Sequence, residues 1–430
     1  MVSSDSLDPH PPFAQAPWQR DAKGPTVTAV RVIVTAPTGP PLIAVKVETS
    51  EPGLVGWGCA SSPQRPLAIR SVIENYLAPM LVGRNALDIE DFHHLMELSP
   101  YWRGGAIENN ALAGIDIALW DIKGKVAGLP VFQLLGGRTR TAVPVYGHAD
   151  GKSHAEVVDG VHSFMEKGYE FVRAQIAVAG ADTYGVHGDD DPGQVGAVKA
   201  RSVPWRSRAY SRAVAPMFEA VRDAVGWDVE LLHDAHERLP PVAAIRLARD
   251  LEPYRLFFLE DAIAPEDLAW YREMRAATTT PQAVGETFSE VATFIPLLTE
   301  RLIDFARVRL CAIGGLTPTI KLAHLCELTG AKLAIHGPGD ISPIGHAAGL
   351  AVDASSRAFG IQESVEYPEV VHEVFPGAPL LERGAFHLSE EPGIGVGLDE
   401  CEAAKYPPGE PLDYQSWSLL RHEDGSPARP

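Results

Sequence analysis

Three acidic residues, Asp234, Glu260 and Glu286, close short apolar runs at a fixed interval, since 260 − 234 = 26 and 286 − 260 = 26. An apolar run bounded by a polar end reads as a buried strand. If each interval holds one strand and one helix, the three carboxylates stand at one height on neighbouring strands of a parallel barrel. Bare carboxylates brought together repel one another. A hard divalent cation removes that conflict, and Mg²⁺ suits it because it takes oxygen ligands and keeps positions open for water or substrate. A single acidic strand end is ordinarily solvated or paired with a lysine; three in register read differently. His236 follows Asp234 by two residues, so strand alternation sends both side chains to the same side.

The elements that would position these groups recur along the chain. After Gly137 come eight apolar runs, at 142–150, 171–175, 229–236, 256–261, 282–286, 305–310, 333–337 and 359–363, with helix-length stretches between them. Continuous apolar strands alternating with helices indicate a parallel sheet. Eight units in this length predict an α/β fold, a (β/α)8 TIM-like barrel. A doubly wound open sheet is the alternative, but no G-x-G-x-x-G follows a first strand. Ahead of the barrel, Val27 to Trp57 reads as β-hairpin material with a turn at Glu51-Pro52-Gly53. A helix follows in which Leu112, Ile115, Leu119, Ile122 and Val126 form one apolar face, closed by Gly128 and Pro130. The resulting division is a mobile Pro-rich leader (1–25), an α+β capping domain (26–140), the barrel (141–366) and a C-terminal segment (367–430) that packs back on the cap and ends in frayed residues. Residues 185–213 lack a period and follow the second strand, so they read as a lid or a disordered insertion.

Composition narrows the function. The chain has 430 residues, 45% hydrophobic and 22% charged, an ordinary globular balance for more than one core. A net charge of -19 opposes nucleic acid and anionic membrane as partners, but not a small anion met through a bound cation. No apolar run approaches the roughly 18–20 residues of a membrane span, and the N-terminus lacks the pattern of a secretory signal. The four cysteines, Cys59, Cys311, Cys326 and Cys401, show no zinc or disulfide spacing. A reducing, cytoplasmic location follows.

Several motifs together resemble the enolase superfamily, and within it the mannonate dehydratase-like acid-sugar dehydratases, a group associated with starvation sensing. They are Tyr146-Gly147-His148-Ala149, Arg173-Ala174-Gln175 with a following Tyr184-Gly185-Val186, Leu232 through Leu239 (LHDAHERL), Leu259-Glu260-Asp261, Val284 through Phe288 (VGETF), His336 through Asp340 (HGPGD), Gly360 through Glu363 (GIQE) and Ala403 through Pro408 (AAKYPP). The resemblance runs from about Val27 onward. It implies the superfamily architecture, Mg²⁺ as cofactor, a small-molecule acid sugar as substrate and a homo-oligomer. The implied reaction takes a proton from beside a carboxylate and expels a β-hydroxyl, giving a 2-keto-3-deoxy sugar acid. Asp234, Glu260 and Glu286 would be metal ligands, Arg173 and Tyr184 the basic pair, and His236 the acid that protonates the leaving hydroxyl. Tyrosine needs a nearby cation to act as a base at neutral pH, and arginine stays charged. Histidine titrates in the range an acid catalyst needs. His148, Arg307, His336, Asp340 and Glu363 match substrate-binding positions, while Asp121 and Lys123 read as structural.

The chain also departs from that pattern. The interval from Arg173 to Tyr184 is 184 − 173 = 11, one residue shorter than the family's. The Gly56-Trp57-Gly58 turn leads into Cys59-Ala60-Ser61-Ser62-Pro63 where the family carries an asparagine. Ala262 stands where proline is common, and Pro338 has no N–H to offer a substrate. The metal and acid–base positions are intact and the specificity positions have drifted, which implies a weak mannonate or gluconate activity or another acid sugar. Two rival readings stand beside it: a racemase or cycloisomerase of the same superfamily, and a non-catalytic regulatory or sensing protein.

Overall fold

The computed structural model describes residues 24–178, 204–409 and 421–429. The hairpin runs form β1 (Val27–Thr35), β2 (Leu42–Thr49) and β3 (Val55–Cys59), an antiparallel sheet in that order. Four consecutive residues of the central strand, Leu42 to Val45, are buried, so both of its faces are covered. The helix Ala106–Ala127 covers one of them, and missing side chains allow it to come close. A Cβ added to Gly58 would stand 1.8 Å from the carbonyl oxygen of Gly114, and one on Gly56 would stand 2.1 Å from that of Ala118.

That helix ends at Gly128, whose φ of 65° is the left-handed cap glycine supplies. The single apolar face expected of it is too narrow a description. Leu112, Ile115, Leu119 and Ile122 belong to the cap's core, Ala113 and Ile117 belong to the barrel's core, and Val126 is exposed. The helix lies between two cores and is apolar toward both. Its buried Asp121 accepts from the backbone N–H of Trp57 and of Ile394, each at 2.8 Å, and from Lys125 at 2.6 Å. Lys123 reaches the carbonyl of Leu87 at 3.3 Å. Both hold structure together.

All eight expected barrel strands form: β4 (Ala142–Gly151), β5 (Phe171–Ile176), β6 (Glu230–Asp234), β7 (Phe258–Glu260), β8 (Gln282–Val284), β9 (Phe305–Val308), β10 (Lys332–Ile335) and β11 (Phe359–Glu363). They pair parallel in chain order, and β11 returns to β4 through Gln362–Val145 and Glu363–Tyr146. That last pairing closes the ring and rules out the open sheet. Side chains alternate across each strand, and the inward set Tyr146, Leu232, Phe258, Ala283, Phe305, Ala334 and Ile361 fills the lumen as a core of its own.

The C-terminal segment returns to the cap. Glu400 meets Lys46 at 2.6 Å and Arg31 at 3.1 Å, and the Tyr406 carbonyl accepts from Ala36 at 2.8 Å. Two short strands, β12 (Leu381–Glu382) and β13 (Ala385–His387), extend the sheet beside β4. The last described residues make contacts with the barrel: Trp205 N–H donates to the Arg421 carbonyl at 2.7 Å, and Arg429 pairs with Glu266 at 3.3 Å. Most of the aperiodic stretch lies outside the described residues, but its end opens the helix Ser207–Val225. No helix among the described residues is long and apolar enough to cross a membrane.

Candidate active site

Two residues above the apolar plug, the inward positions become charged or polar: His148, Arg173, Asp234, Glu260, Arg307, His336 and Glu363. Arg307 is fully buried and committed to this floor. Its Nε meets Glu260 Oε1 at 2.5 Å, and its Nη2 donates to Glu363 Oε2 at 2.6 Å and to the Tyr146 hydroxyl at 2.7 Å. Glu363 in turn accepts from the Gly337 N–H at 2.9 Å and stands 3.0 Å from His148 Nε2. Arg173 Nη1 lies 3.6 Å from Asp234, 3.7 Å from Glu260 and 3.6 Å from Glu363. Burial alone would raise Glu363, but Arg307 and His336 hold it well below the usual carboxylate range. Burial and the nearby Arg173 charge lower His148.

Asp234 and Glu260 are direct register partners on β6 and β7. Glu286 is not level with them along the ladder. Glu260 pairs with Ala283, and the strand ends at Val284. A turn at Gly285, with φ of 123°, carries Glu286 back toward the site. Equal spacing in sequence therefore conceals unequal strand lengths. The same turn explains Asp261, which has no role in the sequence reading because the residue after an inward one should point outward. Its φ of 33° breaks that rule. Its Oδ1 accepts from the Gly285 N–H at 2.9 Å, and acidic oxygens of Glu260, Asp261 and Glu286 lie within 4.8 Å of one another.

His236 also reaches the site by a turn rather than by strand alternation. β6 stops at Asp234, His236 and Glu237 take φ of 51° and 57°, and the His236 N–H donates to Asp234 Oδ1 at 2.7 Å. Its Nε2 then lies 3.7 Å from Glu286, while His336 Nε2 lies 3.1 Å from the same carboxylate. Burial would raise Glu286, yet the two imidazoles bring it below its ordinary range. Glu260 goes the other way. Burial pushes it up to about 8 despite Arg307, with Asp234 adding to the rise. Its Oε2 is buried without a hydrogen-bond partner among the described residues.

An all-oxygen donor set with an orphaned, buried carboxylate oxygen fits a hard cation. Asp340, in the loop after β10, binds Arg309 at 3.0 Å. Arg309, a further cation at the mouth, could have been found from its place two residues beyond Arg307. Tyr184 lies outside the described residues.

Below Asp234, the Tyr210 hydroxyl sits 2.7 Å from His233 Nε2, and His233 Nδ1 sits 2.8 Å from the Ala174 carbonyl. This outward-facing pair ties β5 and β6 to the helix Ser207–Val225.

Residues 16–136 match the family described as mandelate racemase / muconate lactonizing enzyme, N-terminal domain, and residues 190–402 match the enolase C-terminal domain-like family. A D-galactonate dehydratase family member of Streptomyces sp. (strain SPB074) is 53% identical over 97% of this chain and 95% of its own. A member from Salmonella enteritidis PT4 (strain P125109) is 45% identical over 94% and 98%. A solved enolase of Pantoea ananatis with bound D-gluconate and Mg is 42% identical, covers 95% of this chain and 100% of its own, and superposes with a TM-score of 0.88.

Proposed function

The chain belongs to the D-galactonate dehydratase family of the enolase superfamily, and from that premise we propose that it dehydrates an acid sugar, an aldonate such as D-mannonate or D-gluconate, to a 2-keto-3-deoxy sugar acid. The observation that carries this reading is the convergence of acidic oxygens of Glu260, Asp261 and Glu286 beside the His236 imidazole, with Glu260 Oε2 and Asp261 Oδ2 buried and without a hydrogen-bond partner among the described residues. Asp234, Glu260 and Glu286 would hold Mg²⁺, with Asp261 fixing the turn that presents Glu286. When bound, the ion supplies Lewis-acid stabilisation of the negative charge that develops on the substrate carboxylate.

The protein's own groups move the protons. Arg173, held among Asp234, Glu260 and Glu363, would support Tyr184 as the base that takes the proton from the carbon beside the carboxylate. His236 would give a proton to the β-hydroxyl as its C–O bond breaks, so that water leaves and the enol left behind becomes the keto acid. Arg307 and Glu363 brace the floor, while His148, His336 and Asp340 would meet substrate hydroxyls. The same reading makes the protein a homo-oligomer of the cytoplasm.

An aldonate and uronate screen in Mg²⁺ tests the proposal, with 2-keto-3-deoxy acid released by the wild type and not by Glu260→Gln. Exchange of the α-proton without loss of hydroxyl would point to a racemase. Tight acid-sugar binding without turnover would point to sensing and sink the dehydratase reading.

A further inference from the structure

Two cysteines that lie far apart in sequence meet where cap and barrel join. Cys59 closes β3 in the cap, and Cys311 lies three residues past the end of β9 in the barrel. The Cys311 thiol reaches the Cys59 carbonyl at 3.3 Å and the Cys59 Sγ at 3.7 Å. Both side chains are fully buried. The helix Pro343–Ser355 leaves room for them, since a Cβ on Gly345 would stand 2.9 Å from Cys59 Sγ. Ser61 Oγ, which accepts from the Ile43 N–H at 3.0 Å, stands 3.3 Å from the same sulfur. Burial alone would raise the Cys59 thiol, but hydrogen bonds from Cys311 and Ser61 bring it down to about 6. Cys311 goes the other way, raised well above its ordinary range by its bond to Cys59 and by burial. One sulfur is thus the nucleophile and its neighbour holds the proton, an arrangement from which two thiols become a disulfide.

We propose that Cys59 and Cys311 are a reversible redox latch, a disulfide that a small hydroperoxide makes and a thiol reductant breaks, tying the cap to the barrel. The Cys59 thiolate attacks one oxygen of the peroxide, the O–O bond breaks, and hydroxide leaves a sulfenic acid on Cys59. That hydroxide takes up the proton Cys59 had given away. The Cys311 sulfur then attacks the Cys59 sulfur, and its proton departs with the sulfenic hydroxyl as a second water. Two thiols have lost two electrons and two protons, and one hydrogen peroxide has become two waters. The sulfurs must approach by about 1.7 Å to reach a disulfide's roughly 2.0 Å, and rotation about χ1 moves a sulfur farther than that. Full burial shuts out a bulky oxidant, whereas hydrogen peroxide is little larger than water. The link would close a loop of 311 − 59 = 252 positions, and a cross-link over so long a loop stabilises mainly by restricting the unfolded chain. It also lies directly behind the bond from Arg309 Nη2 to the Ser61 carbonyl at 3.1 Å, so closure pins the cap at the barrel mouth. The inference stands apart from the dehydratase reading, because it concerns the joint between two domains and none of the groups that meet substrate.

Treating the full-length protein with hydrogen peroxide and mapping its peptides without reduction tests the latch. The expected product is a peptide joining Cys59 to Cys311, lighter by about 2 Da than its two halves together. The Tm of the oxidised protein should rise by about 3–8 °C, and dithiothreitol should reverse both changes. Cys401→Ser, which removes the exposed thiol, should leave the link intact and so exclude a cross-link between molecules. Cys311→Ser should lose the link and the Tm gain together. If that variant does not fold, the wild-type peptide map alone decides. Oxidation confined to Cys401, with Cys59 and Cys311 still free to be alkylated after denaturation, would overturn the proposal. So would Cys59 driven to sulfinic or sulfonic acid with no linked peptide, or a link that leaves the Tm unchanged.

Discussion

Burial lifts the Glu260 carboxyl to about 8 against the pull of Arg307, while two imidazoles hold Glu286 below the ordinary range. Near neutral pH the metal-free protein therefore keeps a proton on Glu260, and a cation must expel it on binding. Mg²⁺ affinity should rise by up to about tenfold per pH unit until pH is near 8, and calorimetry in buffers of different ionisation enthalpy should show proton release. A pH-independent affinity between pH 6 and 8 would contradict this. The folded value exceeds the unfolded one, so the metal-free fold is favoured at low pH. It loses stability as pH climbs from about 4.5 to 8, by at most about 5 kcal/mol, and saturating Mg²⁺ should recover it. Asp261 makes a separate prediction. Asp261→Ala removes the acceptor for Gly285 and should weaken Mg²⁺ binding by about 10–100-fold. Asp261→Asn keeps an acceptor oxygen and should restore most of it.

Strand alternation made much of this site readable from the sequence. Apolar runs ending in Asp234 and Glu260 needed only strand ends in register, while Arg307 and Glu363 came from the family resemblance, and all four residues point into the lumen. What escaped detection lies beyond strand ends, where backbone dihedrals take over from periodicity. Asp261 faces the site through a positive φ that no side-chain pattern announces, and His236, expected there by strand alternation, arrives through a positive φ instead. Glu286 was found through a spacing that hides a shorter strand and a glycine turn. The helix Ala106–Ala127 was read as one-sided because a sequence shows that residues are apolar, not how many cores they enter. Its contact with β3 yields a prediction at this scale. Gly58→Ala would place a methyl 1.8 Å from the Gly114 carbonyl oxygen, so helix and strand must part. The expected loss is about 1–3 kcal/mol or more, seen as a lowered Tm.

Across the molecule, two buried histidines lie on different elements, His233 on β6 and His346 on the helix Pro343–Ser355. Burial lowers both His233 and His346 to about 4. Unfolded, each would titrate near 6.5, so between pH 6.5 and 4 the unfolded chain binds protons that the native one refuses. Stability should fall through that window, by up to about 3 kcal/mol for each ring. Thermal melts from pH 7 to 4 check this, and His233→Gln should flatten the slope. Because Glu260 titrates in the opposite sense over an overlapping range, the contradicting result is a His233→Gln variant whose Tm changes with pH in parallel with the wild type. The ring closure has a consequence of another kind. The contact that joins Gln362 to Val145 spans 362 − 145 = 217 positions, a long search for a chain to complete. Until Phe359–Glu363 has left the ribosome, β4 and β10 each present an unfilled row of backbone donors and acceptors, open to any other strand. A nascent chain stopped at Ser356 should therefore remain bound to chaperones or precipitate, and the last barrel strand acts as the clasp that closes the sheet synthesised before it.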